Sequence, residues 1–338
     1  MKICICGGGS LGLVSAGVLS SSEGIEVSIL TNRPSQWGSR IVVTDRDGKE
    51  YIADIALATA SPAEVIPNSD MVFICQPGFL IEKTLRDIKP YLRSDAVVGS
   101  IVASTGFFFM AHDVLDADTP LFAFQRTPFI ARVVEYGHSA NLLGYKPQVA
   151  IATENVADVE AFRQMIEKLF ITPTVLKGSH YEVSLTNSNP ILHTGRLYSM
   201  WRDWNGEAYD HNILFYKEWT DEASQTIIDM DAEFMALLKK LPVEEGAIPP
   251  LLEYYESYDA SSLTRKISSI PAFQTITSPM KRVDEGWIPD FESRYFTEDF
   301  PFGLKYIWTL ANELNVPVPT IDKVYKWGMA RIDKVAHK

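Results

Sequence analysis

Gly7, Gly9 and Gly12 stand at the spacing G-x-G-x-x-G, directly after the apolar run Lys2-Ile3-Cys4-Ile5-Cys6. At this spacing Gly7 permits a tight turn and Gly9 lets the backbone approach a pyrophosphate. Gly12 lets the following helix pack close to the strand, so that its first N–H groups, at Ser10 and Leu11, face the phosphates. A small-residue helix over 13–20 and a second apolar strand over 25–30 supply the context that gives the spacing meaning. The loop is expected to bind a dinucleotide; the alternative is a glycine-rich turn with no ligand.

The type of dinucleotide turns on the end of the second strand. An NAD-type site places a carboxylate about 20 residues past the glycines, on the ribose 2′-OH. Here the residues are Leu30-Thr31-Asn32-Arg33-Pro34, with no carboxylate. Thr31 and Asn32 can donate to a 2′-phosphate, and Arg33 can cover it with a charge-assisted bond. NADP is favoured and NAD stays open, as does the reading of Arg33 as a solvated loop cation. Ligands in open α/β sheets lie beyond the carboxyl ends of the strands. That position belongs to Gln76-Pro77-Gly78 and to Ala103-Ser104-Thr105-Gly106, where a nicotinamide end would reach, although Pro77 and Gly78 also suit plain turn punctuation.

A second group of residues suits proton transfer. Asn189 is read as a helix N-cap and Pro190 as the first helical residue, which puts His193 in the opening turn, with Leu197, Trp201 and Trp204 along the same face. The chemical reading makes His193 an acid–base group; the alternative is a packed core histidine. None of His112, His138, His180, His211 and His337 has comparable sequence surroundings. Arg294 and Asp299 are five apart in Arg294-Tyr-Phe-Thr-Glu-Asp299-Phe-Pro-Phe-Gly303, where Pro301 and Gly303 predict a loop. A carboxylate fixes an imidazole's tautomer and an arginine grips a substrate carboxylate bidentately. Asp299 is alternatively a cap for a helix beginning near Phe302. Trp201, Trp204 and Tyr209 are candidates to line a substrate pocket, against simple aromatic packing.

The elements that must position these groups fall into two patterns. Continuous apolar runs at Met71–Cys75 and Ala96–Val102 predict parallel strands covered on both faces, with a helix over 82–92 between them. Further strands are expected at 121–124, 131–136, 149–153 and 174–176, with a helix over 156–170. Beyond Gly178 the pattern turns helical and convincing β runs disappear. The fold class is α/β, a doubly wound Rossmann domain over 1–179 followed by an all-α domain over 180–338.

With 338 residues, 46% of them hydrophobic, the chain has material for two cores. A formal net charge of -12 argues against nucleic acid and anionic membrane surfaces as partners. Three cysteines, Cys4, Cys6 and Cys75, suggest a reducing compartment, and no ligand spacing points to a metal. The opening apolar segment is too short to span a bilayer. A soluble, cytoplasmic protein is expected, with small molecules as its partners and a homodimer as the favoured assembly.

At these motifs the chain resembles the octopine and opine dehydrogenases, over nearly its whole length. The resemblance rests on the glycine loop, the Thr127-Pro128-Phe129-Ile130-Ala131-Arg132 segment, the Asn189-Pro190 to His193 helix start and, most specifically, the Arg294 to Gly303 block. It implies a Rossmann domain joined to an opine-type helical domain. It also implies reductive condensation, in which an amino acid and a 2-keto acid, by default pyruvate, form an imine that NAD(P)H reduces to a secondary amine. By motif, His193 resembles the family's acid–base histidine, Asp299 its carboxylate partner and Arg294 the holder of the keto acid carboxylate, with Asn189, Arg132 and Trp201 toward substrate. The chain departs from the family at 31–33, where NAD-specific members are acidic, and at Ala131, where a cysteine often stands. Two rivals remain: a 2-keto or 2-hydroxy acid reductase needing no amine, and a cofactor-binding sensor without turnover.

Overall fold

The computed structural model describes residues 1–336, which divide into two units after Thr186. The first unit is built on an eleven-stranded sheet. In chain order its strands are β1 (Lys2–Cys6), β2 (Glu26–Leu30), β3 (Arg40–Asp45), β4 (Glu50–Thr59), β5 (Met71–Ile74), β6 (Val97–Ser100), β7 (Leu121–Phe124), β8 (Phe129–Glu135), β9 (Ser139–Tyr145), β10 (Val149–Glu154) and β11 (Thr174–Leu176). Across the sheet they run β11-β10-β7-β6-β5-β1-β2-β4-β3-β9-β8.

The segment from β7 to β4 is parallel throughout, with β1 at its centre. β1 pairs with β2 on one side and β5 on the other, so the crossovers reverse there and leave a crevice at the carboxyl ends of β1 and β5. The apolar runs are this parallel core. Phe73 of β5, Phe122 and Phe124 of β7 and Phe170 are all fully buried. They pack together at centroid distances of 4.9–6.2 Å, mostly edge to face.

The sequence reading passes over β3, β4 and β9, which extend the sheet beyond β2. These strands are buried on alternate residues only, so their apolar content is too diluted to stand out as a run.

The division between units falls at 186/187 rather than 179/180. The reason lies in the short helix His180–Ser184, which packs on the sheet. The His180 ring lies 5.2 Å from that of Phe108 and its Nδ1 meets the Glu154 carboxylate at the end of β10 at 2.5 Å.

The second unit is helical, led by the helices Asn189–Trp201, Asp221–Leu238, Ala260–Ser269, Lys305–Glu313 and Pro319–Ala336. One hairpin interrupts this pattern: β12 (Met280–Val283) pairs antiparallel with β13 (Gly286–Pro289). Arg294 to Gly303 is not a loop. Arg294–Thr297 form an α-helical turn and Phe300–Leu304 a π-helical one, with Pro301 accommodated in its opening residues.

Candidate active site

The glycine loop closes around its own backbone. Gly7 has φ +115° and its N–H donates to the Leu30 carbonyl at 3.0 Å, tying the loop to the end of β2. A Cβ at Gly12 would lie 1.9 Å from the Gly7 carbonyl oxygen, so only glycine allows the helix Ser10–Ser20 to start there. Over Gly9 nothing lies within 4 Å of a Cβ position. That open space belongs to a cavity of about 720 Å³ lined by Gly7, Gly8, Gly9, Ser10, Thr31, Asn32 and Arg33, and also by Gln76 and Pro77. Tight glycines behind, open space in front and a helix N-terminus alongside fit a dinucleotide pyrophosphate.

Three further features of the cavity escape sequence reading. Tyr136, just past β8, also lines it, and its hydroxyl shares a 2.8 Å hydrogen bond with that of Thr31. Its ring lies 4.1 Å beneath the Arg33 guanidinium, a cation–π contact that holds the arginine on the wall. Asp87 supplies a carboxylate from another element, ion-paired with Lys83 at 2.5 Å.

Other residues named from the sequence lie around this cavity rather than on it. Leu11 packs into the core. Ser104 is half-buried in the turn Ala103–Thr105 after β6. Arg132 is exposed on β8 and donates to the Ala131 carbonyl at 3.0 Å. The Ser10 hydroxyl accepts from the Val133 N–H at 3.0 Å, pinning β8 to the phosphate loop.

The second unit brings His193 and Asp299 together across 106 residues, Nδ1 to Oδ2, at 2.8 Å. His193 enters in the first turn of Asn189–Trp201. The cap is Ser188 rather than Asn189, and the Asn187 side chain accepts from the Asn189 N–H at 3.2 Å. Asp299 precedes the π-helical turn without capping it by its side chain, so the cap reading fails. Phe300 and Gly303 set its position. The Phe300 ring fills the space beside Gly328, where a Cβ would sit 2.0 Å from the ring, and Gly303 faces Pro190 with room for no side chain.

A carboxylate only accepts, so Asp299 fixes the His193 proton on Nδ1 and leaves a lone pair at Nε2. That lone pair meets the Tyr216 hydroxyl at 2.8 Å. The Tyr295 ring lies 4.8 Å from the imidazole. Burial raises the pKa of both phenols, so they stay protonated. Tyr295 lies within the singled-out 294–303 block, whereas Tyr216 has no periodic or motif signal around it. His193 is 8% exposed.

Arg294 turns its side chain to solvent, 82% exposed, with only the Glu298 carboxylate 3.9 Å away. Trp201 does not line a pocket. It is fully buried and stacks on Phe296 at 6.2 Å, so its place at the end of the helical stripe is a core position.

One cluster forms from histidines that the sequence reading set aside. Glu154 bridges two imidazoles, its Oε2 2.6 Å from His112 Nε2 and its Oε1 2.5 Å from His180 Nδ1. Among the described residues this is the one group with a metal-type ligand set. Both carboxylate oxygens are engaged by ring nitrogens at hydrogen-bond distance, so the geometry is that of a staple between Phe107–Val114, β10 and His180–Ser184. His337 lies outside the described residues. Among those described, no helix is long and apolar enough to cross a membrane.

Comparison with known proteins matches both units. Residues 176–332 match the family model for the α-helical domain of NAD/NADP octopine/nopaline dehydrogenase, and residues 3–103 that for ketopantoate reductase PanE/ApbA. The octopine dehydrogenase of Mizuhopecten yessoensis is 26% identical over 99% of this chain and 91% of its own length. The opine dehydrogenase of Haliotis discus hannai is 25% identical over 99% and 91%. The solved structure of octopine dehydrogenase with NADH and L-arginine superposes with a TM-score of 0.86 at 24% identity, covering 98% of this chain and 90% of that one. The chain is thus similar over nearly its whole length to the octopine and opine dehydrogenases, with each unit matched by an NAD(P)-dependent oxidoreductase family model.

Proposed function

We propose that the chain catalyses the NAD(P)H-dependent reductive condensation of an amino acid with a 2-keto acid, pyruvate being the favoured one, to a secondary-amine dicarboxylate. The observation that carries this reading is the 2.8 Å His193–Asp299 pair, a buried imidazole with its tautomer set by a carboxylate. The octopine and opine dehydrogenase relatives support the reaction class.

Gly7, Gly9, Ser10, Thr31, Asn32, Arg33, Gln76 and Pro77 would hold the cofactor. The absence of a carboxylate on the 31–33 segment favours NADPH over NADH. When bound, the cofactor supplies the hydride that reduces the imine carbon.

The chain's own residues manage protons and charge. An amino acid arrives as an ammonium ion and must lose a proton before its nitrogen attacks the keto carbon; the carbinolamine oxygen must then gain one to leave as water. His193, neutral at Nε2, takes the first proton and returns it for the second, so one proton is borrowed and restored in each condensation. Asp299 stabilises the imidazolium in between without being protonated itself. Arg294, exposed and only distantly paired, is available to neutralise the keto acid carboxylate.

The test is a panel of amino acids with pyruvate, following NADPH and NADH loss and identifying the product by mass. Amine-dependent oxidation yielding a secondary amine is expected. Oxidation at the same rate without any amine would replace this reading by a plain keto acid reductase, the rival that the PanE/ApbA likeness of residues 3–103 keeps alive.

A further inference from the structure

The imidazole nitrogen that must exchange protons is already engaged. Asp299 holds the proton on Nδ1, and the Nε2 lone pair receives the Tyr216 hydroxyl at 2.8 Å. A substrate therefore either displaces the phenol or exchanges its proton through it.

The surroundings of Tyr216 decide against displacement. Its ring stacks on Trp219 at 5.9 Å and 4°, and on Phe273 at 4.4 Å and 27°. The backbone on either side is clamped as well. Arg196, one turn beyond His193 on the same helix, donates to the carbonyls of Phe215 at 3.2 Å and Glu218 at 2.7 Å. Phe215 N–H donates to the Ile276 carbonyl at 2.8 Å, and the Glu218 carboxylate accepts from Leu214 N–H at 2.6 Å. Arg196 is itself buried. One helix thus carries both the imidazole and the grip that fixes the phenol against it. Tyr216 is 6% exposed, close to the exposure of His193.

We infer that Tyr216, which occupies the Nε2 position of His193, completes a Tyr216–His193–Asp299 proton relay and passes the proton between that nitrogen and the substrate. This rests on the acid–base reading of His193. In the first transfer the ammonium proton passes to the phenol oxygen while the phenol proton passes to Nε2, leaving a neutral amine and an imidazolium. In the second, once nitrogen has passed one proton to the new alkoxide to give the neutral carbinolamine, the phenol proton goes to its hydroxyl oxygen as the C–O bond breaks, and the Nε2 proton replaces it. Water leaves, the nitrogen lone pair forms the C=N bond, and His193 and Tyr216 return to their starting states.

The test uses the full-length protein and Tyr216→Phe. In the apo protein carrying ¹⁵N-histidine, wild-type Nε2 should resonate as a hydrogen-bonded lone pair. It should move to the position of a free one in Y216F, with Nδ1 unchanged. In turnover, Y216F should lower kcat about 100-fold with the cofactor Kd unchanged and the keto acid KM within about threefold. The wild-type solvent-isotope inventory on kcat should be curved, reporting two protons in flight.

A linear wild-type inventory overturns the relay whatever the variant does, and needs no variant to fold. Y216F turnover within about threefold of wild type overturns it too. Failure of the wild-type enzyme to use any amine sinks the proposed reaction instead, while the apo nitrogen spectrum still reports the Tyr216–His193 bond.

Discussion

Gly303 packs against Pro190 so closely that a Cβ at 303 would lie 2.7 Å from the proline Cγ. Pro190 opens the helix that carries His193, and Gly303 lies in the turn that follows Asp299. The spacing of the His193–Asp299 pair is therefore set by a packing contact between two other residues. A proline ring cannot swing aside, so Gly303→Ala must part the two elements. Overpacking of this kind typically costs about 1–3 kcal/mol. The variant should melt lower and lose kcat beyond what its folded fraction explains. Wild-type turnover per folded molecule would show that the Asp299–His193 distance tolerates the shift.

Asp299→Asn keeps the shape and removes the charge. The amide can donate to Nδ1, which favours the wrong tautomer, and it no longer stabilises the imidazolium. A fall in kcat of about 10²–10⁴-fold is expected, with little change in cofactor Kd. His193→Ala should fall as far, and the double variant should lose little more, because the two act as one unit. Additive losses in that cycle would separate their roles.

Much of this arrangement is legible in the sequence, for reasons that can be assigned. The glycine loop is legible because its constraints are local: each glycine answers a contact within a few residues or with the adjoining strand. The parallel core is legible because burial on both faces leaves unbroken apolar runs at β5 and around β6. His193 is found through its helix start, Asn-Pro, although the cap lies one residue earlier. The 294–303 segment is misjudged as a loop because Pro301 and Gly303, read locally, break helices; in the fold one opens a π-turn and the other makes room for Pro190. Trp201 is misplaced because a helical stripe does not say which end meets solvent. Tyr216 and Tyr136 are invisible because their partners, His193 and Phe273 for one and Thr31 and Arg33 for the other, come from distant segments.

Arg294 should behave differently from the histidine pair. Its side chain is exposed and held only by a 3.9 Å approach to Glu298, so removing it disturbs no packing. Its proposed contact to the keto acid carboxylate would form in the ground state as well as the transition state. Arg294→Ala should therefore raise KM for pyruvate by about 10- to 100-fold, the loss of one charge-assisted bond, with a smaller change in kcat. A large fall in kcat at unchanged KM would place Arg294 in the proton chemistry instead.

Cofactor preference should reside in the Arg33–Tyr136 contact. The guanidinium lies 4.1 Å over the ring on the cavity wall, and no carboxylate on the 31–33 segment repels a 2′-phosphate. Arg33→Ala should weaken NADPH binding by about 1–3 kcal/mol and leave NADH nearly unchanged. Fluorescence titrations of both cofactors check this. Equal affinity of the wild type for NADPH and NADH would remove the premise.

The Glu154 staple predicts a pH window for stability. Burial opposes ionisation of Glu154, but the hydrogen bonds from His112 and His180 outweigh it and hold the pKa at about 2, below its usual 4.5. The bond to Glu154 likewise raises His112 above its usual 6.5, against the opposing effect of its own burial. A depressed carboxylate contributes stability above its unfolded pKa and loses it as pH falls. A raised imidazole contributes below its unfolded pKa and loses it as pH rises through the folded value. The two contributions overlap between about pH 4.5 and 6.5, where Glu154→Gln should cost most. His112 is half exposed, so screening limits the loss to about 1 kcal/mol, or a fall in melting temperature of roughly 2–4 °C near pH 5.5. The gap between wild type and variant should narrow toward pH 3 and again toward pH 9. A gap that stays constant across this range would mean that Glu154 acts by packing rather than by charge.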